Sequence, residues 1–69
     1  MGLTELTRGI ERRLTGDHKV VQHTNRVAVW CEYEDAAVVK NIASDYDAKI
    51  HRVENSESEG KLYITLVEQ

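Results

Sequence analysis

Arg26-Val27-Ala28-Val29-Trp30-Cys31-Glu32-Tyr33-Glu34 is the stretch on which the fold turns. Val27, Val29, Cys31 and Tyr33 alternate with Arg26, Ala28, Trp30, Glu32 and Glu34, the two-residue period that sends successive side chains to opposite faces of a β-strand. One face is apolar. The other carries a tryptophan among polar neighbours. Working upstream, Lys19-Val20-Val21-Gln22-His23 is β-prone, and Thr24-Asn25 forms a tight turn between the two runs. Thr-Asn is a weaker hairpin signal than Asn-Gly, because neither residue favours a positive φ as glycine does. The pair nevertheless predicts a short first strand.

Further upstream the period changes. Leu3, Leu6, Ile10 and Leu14 recur at spacings of three and four, the stripe of an amphipathic helix over about residues 3–15. Gly16 is placed to end it as the residue after the C-cap, and Arg12 and Arg13 suit the negative end of the helix dipole. Downstream, Asp35 is expected to cap a second helix reaching about Ala48, with Ala36, Val39, Ile42, Ala43 and Tyr46 on its buried stripe. Residues 49–53 are β-prone and residues 55–60 form a polar, turn-rich loop. Over residues 61–67, Leu62, Ile64 and Leu66 alternate with Tyr63, Thr65 and Val67, completing a hairpin. The predicted architecture is a small two-layer α+β sandwich of order α-β-β-α-β-β. Its sheet is mostly antiparallel, and both helices pack on one face.

Composition sets limits. A chain of 69 residues has room for one compact domain, taken as residues 1–69. Such a chain buries roughly 60% of the surface it exposes when unfolded, so a disulfide, a metal or a partner subunit is a common aid. One cysteine makes no internal disulfide. The opening Met1-Gly2-Leu3-Thr4-Glu5-Leu6 lacks the apolar run of a signal peptide, and Leu6 stands where a myristoylation signal needs Ser or Thr. No apolar stretch approaches the ~20 residues of a membrane span. The expected setting is cytoplasmic, without membrane association. Net charge is −3, yet residues 1–26 carry +2 and residues 27–69 carry −5. Arg8, Arg12 and Arg13 form a secondary basic patch on the first helix, and the acidic balance elsewhere counts against a surface that grips nucleic acid throughout.

No catalytic set emerges, so the chain is expected not to be an enzyme. Cys31 shares the apolar face with Val27 and Val29, which predicts a buried, inert thiol. His18, His23, His51 and Cys31 match no zinc spacing, and no metal or cofactor is expected. Ser44, Ser56 and Ser58 lie in no nucleophile context, the glycines form no phosphate loop, and no small-molecule substrate is evident. Asp35 is accounted for as a cap, and Glu54, Glu57 and Glu59 as solvated loop acids.

The run from Arg26 to Val67, with its Asp35-led helix and its Tyr63-Ile64-Thr65-Leu66 strand, resembles the back half of the small TusA-type sulfur carriers over about 40 residues. The resemblance implies a two-layer sandwich. The Cys-Pro-x-Pro motif that defines those carriers is missing, since the matching stretch is Leu3-Thr4-Glu5-Leu6 and the chain has no proline. No sulfur-transfer activity carries over.

Function therefore rests on the face turned away from the helices. It carries Arg26, Ala28, Trp30, Tyr63, Thr65 and Val67, joined by His51 or Arg52 depending on register. A Trp, a Tyr and a Val together form an apolar patch that monomers seldom leave open. Three accounts are available. Trp30 is covered by a loop or by the first helix, or the face binds a protein partner or a second copy, or it stacks single-stranded nucleic acid beside Arg26 and Arg52. The preferred reading is a non-enzymatic protein-binding or regulatory module, adaptor- or inhibitor-like and of the kind phages and mobile elements encode. Its expected partner is another protein or itself, with a homodimer favoured.

Overall fold

A computed structural model describes residues 2–69. The elements follow in the order α1 (Leu3–Arg13), β1 (His18–Gln22), β2 (Val27–Glu32), α2 (Ala36–Asp45), β3 (Ala48–Asn55) and β4 (Lys61–Glu68), with a 3-10 turn at Tyr33–Asp35 leading into α2. The strands form one antiparallel sheet in the order β1-β2-β4-β3. The α-β-β-α-β-β order read from the sequence is the order found.

The core is made by the two predicted patterns meeting. Leu3, Leu6, Ile10 and Leu14 from α1 and its end, and Val39, Ile42 and Ala43 from α2, are buried against Val27, Val29, Cys31, Ile64 and Leu66. Ala48 completes the cluster, and Ala36, Tyr46, Ile50 and Leu62 pack partly against it. Burying each large aliphatic side chain contributes about 1.5–3 kcal/mol, which offsets the entropy of ordering so short a chain. With both helices on that side, the opposite face of the sheet lies bare.

Residues 23–26 close the first hairpin. The His23 N–H donates to the Arg26 carbonyl at 2.8 Å, leaving Thr24 and Asn25 as the two-residue turn, with no positive φ at either. That turn sets the register: Lys19 lies opposite Trp30 and Val21 opposite Ala28. In the second hairpin the connection of residues 56–60 folds on itself. Lys61 N–H donates to the Ser58 carbonyl, and Gly60 adopts a φ of 79°, a left-handed conformation open to glycine without strain. A bulge interrupts β3 between Ile50 and Arg52, with His51 as the extra residue.

Four local expectations fail. β2 ends at Glu32, so Tyr33, expected to continue the strand's apolar face, lies in the 3-10 turn and is exposed. α1 ends at Arg13 and its cap, Leu14, is already extended, so Gly16 lies beyond the helix and is not its terminating residue. α2 ends at Asp45, short of Ala48, because the turn places Asp47 at φ 56° and starts β3 at Ala48. Asp35 does not cap α2. It has helical backbone angles (φ −87°, ψ −7°) as part of the 3-10 turn and makes no capping hydrogen bond, whereas a capping residue needs an extended backbone to aim its side chain at the helix N–H groups.

Candidate functional site

The bare face centres on β2. Side chains at Ala28 and Trp30 stand between β1 and β4, where Val21 and Lys19 flank them on one side and Thr65 and Tyr63 on the other. Ala28 is the small member of this row, and a half-open hollow of about 380 Å³ on this face is lined by Lys19, Val21, Ala28, Trp30, Ser58 and Tyr63. Tyr63 is 50% exposed and Val21 52% exposed, so apolar surface remains in water at the hollow's rim.

Trp30 itself is half-buried, and three polar groups hold it. Its indole N–H donates to the Ser56 hydroxyl at 3.0 Å. The Lys61 and Lys19 ammonium groups lie over its ring, at 5.3 and 5.7 Å from the centroid. Each cation–π contact of this kind is worth about 0.5–2 kcal/mol, rising with desolvation. Lys61 is the more enclosed of the two and is neutralised by Glu32 at 3.6 Å and Asp17 at 3.9 Å. Lys19 is exposed and has no ion-pair partner among the described residues.

The predicted interface residues are only partly brought together. Ala28, Trp30 and Tyr63 meet at the hollow, with Thr65 beside Ala28 on the neighbouring strand. Arg26 and Val67 lie toward the other end of the sheet. The Arg26 guanidinium reaches back to the Asn25 side chain at 3.4 Å, and Val67 lines a separate hollow with Leu3, Thr24, Asn25 and Glu68. Of the two residues left open by register, the bulge at His51 places Arg52 opposite Thr65 on this face. Its charge is taken up by Glu54 at 3.2 Å. The arginines of α1 are exposed in the helical layer, away from the hollow, and Arg13 pairs with Asp45 at 3.2 Å.

Lys19, Val21, Ser56, Ser58 and Lys61 belong to the site and are not among the residues singled out from sequence. A turn at Thr24-Asn25, followed back residue by residue, would have placed Lys19 and Val21. No local signal places Lys61 and the two serines, because β4 reaches Trp30 through a long-range pairing.

Below the hollow the chemistry is quiet. Cys31 is fully buried, and burial raises its thiol pKa above the ordinary value of 9.0, with the Asp35 and Glu32 carboxylates adding to the effect. A protonated, enclosed thiol is a poor nucleophile. Nearby, the Asp35 Oδ2 is buried without a hydrogen-bond partner, and a Cβ at Gly16 would collide with Glu32 Oε1. Gly16 is therefore fixed by the close approach of those carboxylates. His18 Nδ1–H donates to the Gly16 carbonyl at 2.7 Å and tightens the same corner. His18 and His51 lie on opposite edge strands of the sheet, too widely separated to share a ligand.

No helix among the described residues is long and apolar enough to cross a membrane. No family model, no curated protein and no solved structure matches this chain.

Proposed function

We propose that this chain is a non-enzymatic protein-binding module, of regulatory or adaptor type, that acts through the bare sheet face at Trp30 and Tyr63. One observation supports this most directly. The hollow over Ala28 is walled by Trp30, Tyr63 and Val21 and receives no cover from either helix. Trp and Tyr are among the residues that most often dominate protein interfaces, and covering the rim recovers roughly 25 cal/mol per Å² of apolar area. The sole thiol, buried and held protonated, offers no competing covalent chemistry and suits a reducing cytoplasm as the place of action.

The test is a paired capture experiment. Wild type and Tyr63→Asp are immobilised side by side, exposed to extract of the native host and compared by mass spectrometry. Proteins held by wild type and lost from Tyr63→Asp support the reading. Identical sets, or none, overturn it.

The outward-facing rings of Trp30 and Tyr63 on neighbouring strands favour a second reading, binding of single-stranded nucleic acid. The lysines over Trp30 weigh against it, since a stacked base would have to displace them. Steeply salt-dependent binding of an oligothymidylate would select this alternative.

A further inference from the structure

We infer that a second copy of this chain pairs antiparallel along the open edge of β1, joining two four-stranded sheets into one continuous sheet. This surface is separate from the bare face, and the inference does not depend on what that face binds. Three observations carry it.

The first is a row of backbone groups without partners. The His23 N–H donates to the Arg26 carbonyl across the first hairpin, and the Tyr33 N–H donates to the Gly60 carbonyl just past the ends of β2 and β4. In an antiparallel ladder, residues that exchange hydrogen bonds with a given neighbour alternate with residues that do not. Both bonds give the same phase. Lys19 and Val21 bond to β2, and the N–H and C=O groups of His18, Val20 and Gln22 point away from the sheet. No group among the described residues bonds to them.

The second is the contrast between the two edges. β3 is broken by its bulge, with Lys49 and Arg52 on either side. β1 pairs with β2 through five consecutive residues with no shift of register. Lysine is the residue type that most often guards an edge, but the Lys19 ammonium lies over the Trp30 ring on β2, drawn in from the edge.

The third is self-complementarity. A two-fold axis at Val20 sets Val20 opposite its own copy and His18 opposite Gln22 in both directions, so every outward residue meets an outward residue. Each such pair exchanges two backbone hydrogen bonds. The Val20 side chains, each already packed partly against its own core, meet on the helix side. On the bare side Lys19 faces Val21 of the second copy, and beyond the strand ends Asp17 faces His23, beside Arg26. No like charges stand directly opposite. The α1 helices brought alongside carry Glu5 and Glu11 against Arg8 and Arg12, with Arg13 held by Asp45. An axis at Lys19 would oppose the two lysines, and one at Val21 would oppose Lys19 to His23 and His18 to the turn residue Thr24.

The experiment measures sedimentation and amide hydrogen exchange of the full chain from ~10 µM to ~1 mM. A dimer should form across this range, and the His18, Val20 and Gln22 amides should gain at least roughly tenfold protection in it, with no gain along β3. Val20→Pro removes the central outward N–H without touching a bond to β2, and should weaken association roughly tenfold. Val21→Lys, an exposed change that opposes lysine to Lys19 of the second copy, should weaken it too, and serves alone if circular dichroism shows Val20→Pro unfolded. Tyr63→Asp should leave the dimer intact.

A monomer at every concentration overturns the inference. A dimer lost in Tyr63→Asp but kept in the β1 variants overturns it in favour of pairing through the bare face. Protection gained along β3 and not along β1 overturns it in favour of the other edge.

Discussion

Trp30 and Ser56 are joined by a 3.0 Å hydrogen bond that ties the middle of β2 to the connection between β3 and β4. The same Ser56 hydroxyl accepts from the Ser58 backbone N–H at 3.2 Å, so one oxygen orders both the indole and the loop. Ser56→Ala should cost about 1 kcal/mol, the ordinary worth of such a bond where water can replace part of it. Urea unfolding measures the loss, and tryptophan emission should shift to the red as the loop loosens. Unchanged emission and stability would mean that the bond is not populated in solution.

Gly16 is the contact point for two carboxylates. Gly16→Ala should destabilise by about 1 kcal/mol, because the new methyl pushes Glu32 away from Lys61. In a Glu32→Ala background the sign should reverse. Gly16 has no positive φ, so there alanine only restricts the unfolded chain, which stabilises by about 0.4–1 kcal/mol. A double-mutant cycle in denaturant reads the coupling directly, and additive effects would refute it.

Cys31 should make stability fall on the alkaline side. Its thiol pKa is raised in the folded state by burial first, then by Asp35 and Glu32, so the native protein holds that proton more tightly than the unfolded chain. The contribution is fully present below the unfolded value and disappears as pH rises through the higher folded value. Melting temperature should therefore decline above about pH 9 in wild type. The decline should be shallower in Cys31→Ala than in wild type. Ellman's reagent should label the native thiol slowly and the denatured thiol at once. Rapid stoichiometric labelling of the native protein would contradict the burial.

Asp47 adopts a left-handed backbone at the end of α2, with φ 56°. An L-residue with a Cβ pays a steric penalty there that glycine avoids, while its backbone carbonyl still accepts from the Gln69 N–H at 3.0 Å. Asp47→Gly should raise stability by about 0.5–1 kcal/mol, seen as a higher urea midpoint with an unchanged slope.

Ile10 is fully buried at the centre of α1, and an isolated helix of that length is marginal in water. Ile10→Ala should cost about 2–5 kcal/mol, enough to threaten a domain of this size. Full native stability after this change would mean that α1 is not docked in solution.

The sequence was most legible where a period repeats. Leu3, Leu6, Ile10 and Leu14 declared one helical stripe, and the alternation from Val27 to Cys31 separated core from surface without ambiguity. Asp35 misled because the 3-10 turn at Tyr33–Asp35 gives it helical backbone angles where a capping residue needs extended ones. The site was harder to read than the fold. Trp30 and Tyr63 were visible as outward positions, but their becoming direct partners depends on β2 pairing with β4, a contact between residues over thirty positions apart that no local pattern encodes. The lysines over Trp30 follow from that pairing and from the Thr24-Asn25 register, so they were hidden to the same degree.

The bulge at His51 has a consequence for crowded solutions. With strand order β1-β2-β4-β3, the longest strand left with an open side is β3, and Val53 on it is half exposed. A flat eight-residue edge of this kind would template the addition of further strands and seed fibrils. The extra residue breaks the spacing of N–H and C=O groups partway along, and Lys49 and Arg52 flank the break with charge. An incoming strand can match one half of this edge but not both, so the bare face of the sheet is not accompanied by a continuous template along β3.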